Sequence, residues 1–228
     1  MRATLAVAVV DTAHAVRLSD RAYERILELL FDRSLPAGAF VSQNQLVELT
    51  GVPVGPLRDA LRILEAEGIL AIQPRTGIQF VKPGLELTKS TYQFRTILER
   101  AAVRIFAEVA DDTALAALRK SHTALQRRIE STGLDSAALV DLEALEGQLH
   151  NSVIGILDNP LIDTSYRRIH NYLRLVRLER KLTVQRAQHS LREHLAIIEA
   201  CAARDPDAAE AALLAHFTAA LGRHMGLG

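Results

Sequence analysis

Tryptophan is absent, aromatic residues make up 4% of the chain, and there is a single cysteine. One cysteine excludes an intramolecular disulfide and a metal centre built on several thiolates, and it fits a reducing cytoplasm. Cys201 reads as a small buried helix residue. The chain also lacks net charge, since 27 basic residues balance 27 acidic ones. Net charge therefore gives no pull toward nucleic acid or an anionic membrane. No run approaches the roughly 20 apolar residues that a membrane span needs. The apolar stretch from Leu5 to Val10 is short and ends at Asp11, so it reads as an N-terminal arm, not a secretory signal. No repeat of 20 to 50 residues and no low-complexity tract is present. A soluble cytoplasmic protein is expected.

What the chain does have is alanine and leucine within a 49% hydrophobic composition. That favours helices packed on helices, and 228 residues suit one large or two modest domains. The densest signal lies between Ser42 and Val81. Ser42 with Gln45 three positions on is a capping box, and the short helix it opens, with Leu46 and Leu49 inward, stops at Gly51. A second helix is expected from Pro56, with Leu57, Leu61 and Leu64 facing a core and Arg58 and Arg62 sharing another face. Gly68 ends it, and residues 69–72 and 78–81 read as two strands joined through Arg75, Thr76 and Gly77. A preceding helix, capped at Asp20 and marked by Tyr23, Ile26, Leu27 and Leu30, completes a three-helix core.

This is the pattern of a winged helix-turn-helix, which places its second helix in a DNA major groove. Between residues 17 and 83, however, eight basic side chains face eight acidic ones. Affinity for double-stranded DNA must then come from cations gathered on one face and doubled in a homodimer, which implies an inverted-repeat operator. Residues 1–16 form the arm, 17–83 the DNA-binding module, and the break at Lys82-Pro83-Gly84 opens a second domain over 84–228. Helices near 88–109, 113–130, 135–157, 160–182, 187–203 and 206–225 make that domain an all-α antiparallel bundle, so the fold is mainly α.

Histidines stand out in the bundle. Glu146 and His150 lie four apart on one helical face, and His194 and His216 sit among apolar residues on the last two helices. Three imidazoles and a carboxylate suit Zn²⁺ first, with Ni²⁺, Co²⁺ or Mn²⁺ as further choices. Taken singly, each histidine reads equally as a satisfied core residue. His122, His170, His189 and His224 read as surface or capping residues. Arg95, Arg177 and Arg180 fall on buried stripes, where a cation needs an anion: either a ligand or a protein carboxylate.

The chain resembles a GntR-family transcriptional regulator of the FadR-type branch, whose C-terminal part is the FCD ligand-binding domain. The resemblance rests on Leu35-Pro36-Ala37-Gly38, on residues 46–52, on the run from Pro56 to Leu70, on the Gly77 wing, and on Phe94-Arg95-Thr96-Ile97-Leu98-Glu99. It implies that Arg58, Arg62 and the wing touch DNA. It also implies a metal held by Glu146, His150, His194 and His216, with Glu146 standing where the family usually has Asp. A small organic acid effector, held by the metal and nearby arginines, follows from the same resemblance. Departures are Pro53-Val54-Gly55, where the family usually carries a hydroxyl residue, Arg and Thr, and Asn44, where another Arg is common. The expected function is a metabolite-responsive DNA-binding regulator, most naturally a repressor. Two other readings stand beside it: a metal-dependent enzyme, disfavoured by the lack of an HExxH arrangement or activated nucleophile, and a regulator whose metal is structural.

Overall fold

The computed structural model describes residues 17–178 and 182–225. The expected N-terminal arm and Arg180 lie outside them. The chain divides into two compact units, with the division between Lys82 and Pro83.

In the first unit, α1 (Leu18–Phe31), α2 (Gln43–Thr50) and α3 (Val54–Ala66) pack on one another beside a small sheet. The capping box at Ser42 forms: its Oγ accepts from the Gln45 amide at 3.2 Å, and Gln45 Oε1 accepts from the Ser42 amide at 2.8 Å. Gly51 closes α2 in the left-handed region at φ 66°. Three expectations need correction. α1 begins at Leu18 without a side-chain cap, and Asp20 sits in its first turn, where a carboxylate favours the helix dipole. α3 begins at Val54, not Pro56. None of the first-turn amides has an intrahelical partner, so proline is tolerated throughout that turn and does not mark its first residue. Leu49 is 42% exposed, whereas Leu46 and Thr50 are the buried residues of α2. Leu57, Leu61 and Leu64 are buried as the periodicity requires.

The strands are β1 (Phe40–Val41), β2 (Leu70–Gln73) and β3 (Gly77–Phe80), antiparallel in the order β1-β3-β2. Gln73 pairs with Gly77, which shifts both wing strands by one residue from the expected bounds and leaves Pro74, Arg75 and Thr76 as the loop. β1 has only two residues, too short for any alternation to announce it.

The second unit contains α4 (Leu85–Val109), α5 (Asp112–Thr132), α6 (Ser136–Gly155), α7 (Pro160–Leu178), α8 (Val184–Ala202) and α9 (Pro206–Met225). α8 starts three residues earlier than expected because the Thr183 side chain accepts from the Arg186 amide at 3.3 Å. α4 packs on α9, α6 and α7, while α8 packs on α9 and α5. Their apolar faces meet in one large core that includes Leu149, Val153, Leu173, Ile197, Leu213 and Phe217. A second cluster gathers Leu125, Ile129, Leu142 and Leu191. No helix among the described residues is long and apolar enough to cross a membrane.

Candidate DNA interface and candidate metal centre

α3 keeps its leucines inward and presents Arg58 and Arg62 to solvent. Arg58 Nε donates to Gln43 Oε1 of α2 at 3.1 Å, which steadies the guanidinium without neutralising it. Arg62 lies 3.9 Å from Asp59, with both side chains largely exposed, so the pair is weak and leaves the cation available. The other nearby acids are occupied. Glu65 accepts from the Ile72 amide at 2.7 Å, and Glu67 accepts from the Tyr23 hydroxyl at 2.8 Å. Arg58 and Arg62 line an open cleft of about 470 Å³ with Leu18, Ser19 and Gly55. At the wing, Arg75 is exposed in a left-handed conformation at φ 65°. The Thr76 hydroxyl donates back to the Gln73 carbonyl at 3.1 Å, so it stiffens the turn. Gly77 has a structural reason of its own: a Cβ there would come within 2.8 Å of the Val41 carbonyl oxygen and 2.9 Å of the Phe40 ring.

In the bundle, Glu146, His150, His194 and His216 come together, each buried, with one donor atom apiece within 4.8 Å of the others. The i, i+4 spacing on α6 places the first two, and the α8·α9 packing brings the other two to meet them. Each imidazole is oriented from behind. His150 Nδ1 donates to Glu99 Oε2 at 2.5 Å. His216 Nδ1 donates to Glu193 Oε2 at 2.8 Å. His194 Nδ1 meets His122 Nε2 at 3.3 Å. With Nδ1 committed outward, each Nε2 is directed inward. The Nε2 atoms of His150 and His194 are buried without a hydrogen-bond partner, 3.4 and 3.2 Å from the Glu146 carboxylate. A neutral imidazole protonated on Nδ1 turns a lone pair toward that carboxylate, an arrangement that a cation between them satisfies. The residues present therefore fit a borderline divalent metal, and two of the three outward partners, Glu99 and Glu193, are the carboxylates that metal-binding histidines ordinarily have.

The surrounding charges are shared among five of the six bundle helices, α4, α6, α7, α8 and α9. Arg95 Nε donates to Glu99 Oε1 at 2.6 Å, and the Tyr166 hydroxyl donates to the same oxygen at 2.7 Å. The Arg95 guanidinium lies 4.6 Å from the Phe217 ring centre and 3.6 Å from Glu146. Arg177 donates to Glu146, and Arg223 donates to both oxygens of Glu193 at 2.6 and 2.7 Å. Burial would raise the Glu99 carboxyl, but Arg95 and His150 outweigh it and hold it down to about 2. Burial likewise opposes ionisation of Glu193, yet hydrogen bonds from Arg223 and His216 bring it to about 2. Glu146 is held well below its usual range, because the Arg177 guanidinium beside it overcomes its desolvation. Burial lowers His150, His194 and His216, keeping them in the neutral form that ligates metal.

Arg95 and Arg177 thus meet protein carboxylates, and Arg180 lies outside the described residues. His122 corrects the sequence reading: it is fully buried, and burial with the neighbouring His194 brings it down to about 4. Its signal was present in the stripe Leu115, Leu118, His122, Leu125, Ile129, which places the histidine on the buried face of α5. Glu99 was equally legible as an acid four residues after Arg95 on the same stripe. Glu193, Arg223 and Tyr166 carry no local signal, because only the packing of α7, α8 and α9 brings them in. His189 is exposed as expected, whereas His170 and His224 are partly buried, His224 against the Tyr92 ring.

The chain is similar to known proteins in both of its units. Residues 18–80 match the GntR family of bacterial regulatory proteins, and residues 90–219 match the FCD domain. The HTH-type transcriptional regulator YdhC of Bacillus subtilis is 25% identical over 195 residues, covering 86% of this chain and 85% of its own. The Nta operon transcriptional regulator of Aminobacter aminovorans is 28% identical over 181 residues, covering 78% and 81%. Among solved structures, E. coli McbR/YncC shares the fold with a TM-score of 0.76 at 16% identity, over 92% of this chain and 98% of that one. The metal-free FCD domain of TM0439 superposes with a TM-score of 0.54 at 20% identity, over 64% and 96%. Two matched domains in the expected order, with solvent-facing arginines in one and a buried Glu/His₃ cluster in the other, lead to one assignment: the chain belongs to the GntR family of transcriptional regulators, with a DNA-binding winged helix-turn-helix and an FCD domain, and is not an enzyme.

Proposed function

We propose that this regulator acts as a homodimeric repressor in the cytoplasm, bound to an inverted-repeat operator and released by a small carboxylate metabolite taken up at a divalent metal. The observation that carries the reading is the convergence of three buried imidazoles on Glu146, two of them with partnerless Nε2 atoms. Zn²⁺ is the ion best matched to that donor set, with Ni²⁺, Co²⁺ or Mn²⁺ as alternatives. When bound, the ion supplies a Lewis-acidic centre for an acid's carboxylate. Arg177, more exposed than Arg95 and paired with Glu146, is the side chain placed to transfer its hydrogen bonds to an incoming carboxylate. Arg95, fixed by Glu99, holds the charge balance behind it, and Arg180 is proposed for anion binding from the sequence alone. Arg58, Arg62 and the Arg75-Thr76-Gly77 wing hold the operator. An effector that binds one arrangement of the bundle better than another changes operator affinity by its differential binding, typically about 5- to 150-fold.

The test is direct. Purified protein is analysed for metal, then gel retardation of its own promoter is followed with and without a panel of small organic acids. Metal near one per chain and release of DNA by an acid are the expected results. Retardation unchanged by every acid, with metal present, would instead assign the ion a structural role.

A further inference from the structure

The three metal-facing imidazoles are oriented by two different chemistries. Behind His150 and His216 stand carboxylates, Glu99 and Glu193, each neutralised by its own arginine. Behind His194 stands another histidine. His122 is fully buried on α5, its Nδ1 lies 2.7 Å from the Leu118 carbonyl oxygen, and its Nε2 lies 3.3 Å from His194 Nδ1. The two rings meet edge to face, 5.3 Å between centres.

A carbonyl oxygen can only accept, so the proton of His122 resides on Nδ1. No ion pair to His122 occurs among the described residues, so a second, charging proton there would be buried without a counterion. His122 Nε2 is then a lone pair, and the proton in the 3.3 Å contact belongs to His194 Nδ1. We infer that His122 is a positioning residue for the candidate metal centre: by accepting from His194 Nδ1–H it fixes the tautomer and ring plane that turn His194 Nε2 into the ligand set. This rests on the metal reading proposed above. The choice of a neutral acceptor has a physical reason. Leu118 and Leu125 are buried beside His122 on the same face of α5, and among the described residues no arginine pairs with His122, so a third outer carboxylate in its place would add an uncompensated buried charge.

The experiment compares the full-length wild type with His122→Phe, which removes the acceptor, and His122→Gln, whose amide oxygen replaces it. Zinc affinity is measured by chelator competition, alongside circular dichroism for folding. Loss of an outer partner commonly lowers metal affinity ~10- to 100-fold, and the Phe variant should fall in that range while the Gln variant recovers most of it. In parallel, ¹⁵N imidazole spectra of metal-free wild type should show a proton on His194 Nδ1 and none on His122 Nε2. A folded Phe variant with unchanged zinc affinity, or a proton found on His122 Nε2, overturns the assignment. If wild type takes up no zinc, the metal reading fails, and the spectra still decide the tautomer relay on their own.

Discussion

The two units of this regulator treat charge in opposite ways. The N-terminal unit buries leucines, isoleucines and alanines, and among its described residues Thr50 is its one buried polar side chain. Its Arg58, Arg62 and Arg75 stay in water, where a cation costs little and can meet a phosphate or a guanine edge. The bundle instead buries Arg95, Glu99, Glu146 and four histidines in its interior. Isolated buried charges are expensive, and these persist because each carboxylate is shared between cations or imidazoles. A surface built to bind a polyanion can leave its cations unpaired. A small interior site must be balanced before its ligand arrives.

The contrast can be broken most sharply at Glu99. Replacing it with Ala leaves Arg95 buried and His150 unoriented, and should lower bundle stability by about 3–5 kcal/mol in urea unfolding. Joint replacement of Arg95 and Glu99 by apolar residues of similar volume should recover much of that loss while lowering metal affinity ~10- to 100-fold.

Acid should separate the units next. His122 and His170 are lowered to about 4 from 6.5, so between those values the unfolded chain binds protons that the native chain does not. Metal-free bundle stability is therefore intact above pH 6.5 and lost as pH falls toward 4, with a limiting slope of about 1.4 kcal/mol per pH unit for each histidine. The depressed carboxylates Glu99 and Glu193 add a further loss as pH falls from 4.5 toward 2. No histidine occurs among the described residues of the N-terminal unit, so no imidazole titration moves its transition between pH 6.5 and 4. Thermal melts resolved by unit across that range check both statements.

Within the N-terminal unit, Gly77→Ala should cost about 1–3 kcal/mol, because the added Cβ meets the Val41 carbonyl and φ is 150°. Loss of wing protection in hydrogen exchange would register it. The smallest effect on stability is expected at Arg62→Ala, whose exposed pair with Asp59 spans 3.9 Å. Its melting temperature should match wild type while operator affinity falls roughly tenfold or more, with a shallower salt dependence if the contact is to phosphate.

How much of this was legible varied with the range of the interaction. Ser42, Gly51 and the leucine stripe of α3 act within a few residues of themselves, so the capping box and the helix-turn-helix could be read directly. The bounds were less secure, since Pro56 is tolerated anywhere in a first turn and Leu49 lies off the buried face of a two-turn helix. In the bundle, Glu146 and His150 were paired by spacing, and His194 and His216 by their apolar neighbours. The partners behind them were not. Glu193 reaches His216 across 23 positions, Glu99 reaches His150 across 51, and His122 reaches His194 across 72.

Sequence by itself determined the winged module and the helical content of the second domain, because periodicity and caps are local properties of the chain, while the four side chains of the candidate metal centre were singled out as ligands only by the resemblance to the FCD family. Tertiary structure alone decided which nitrogen each imidazole turns inward and that Arg95 and Arg177 are answered by protein carboxylates. It also decided that His122 belongs to the centre and not to the surface. A tautomer and an ion pair depend on what stands across the helix interface, and nothing in one helix states what its neighbour will present.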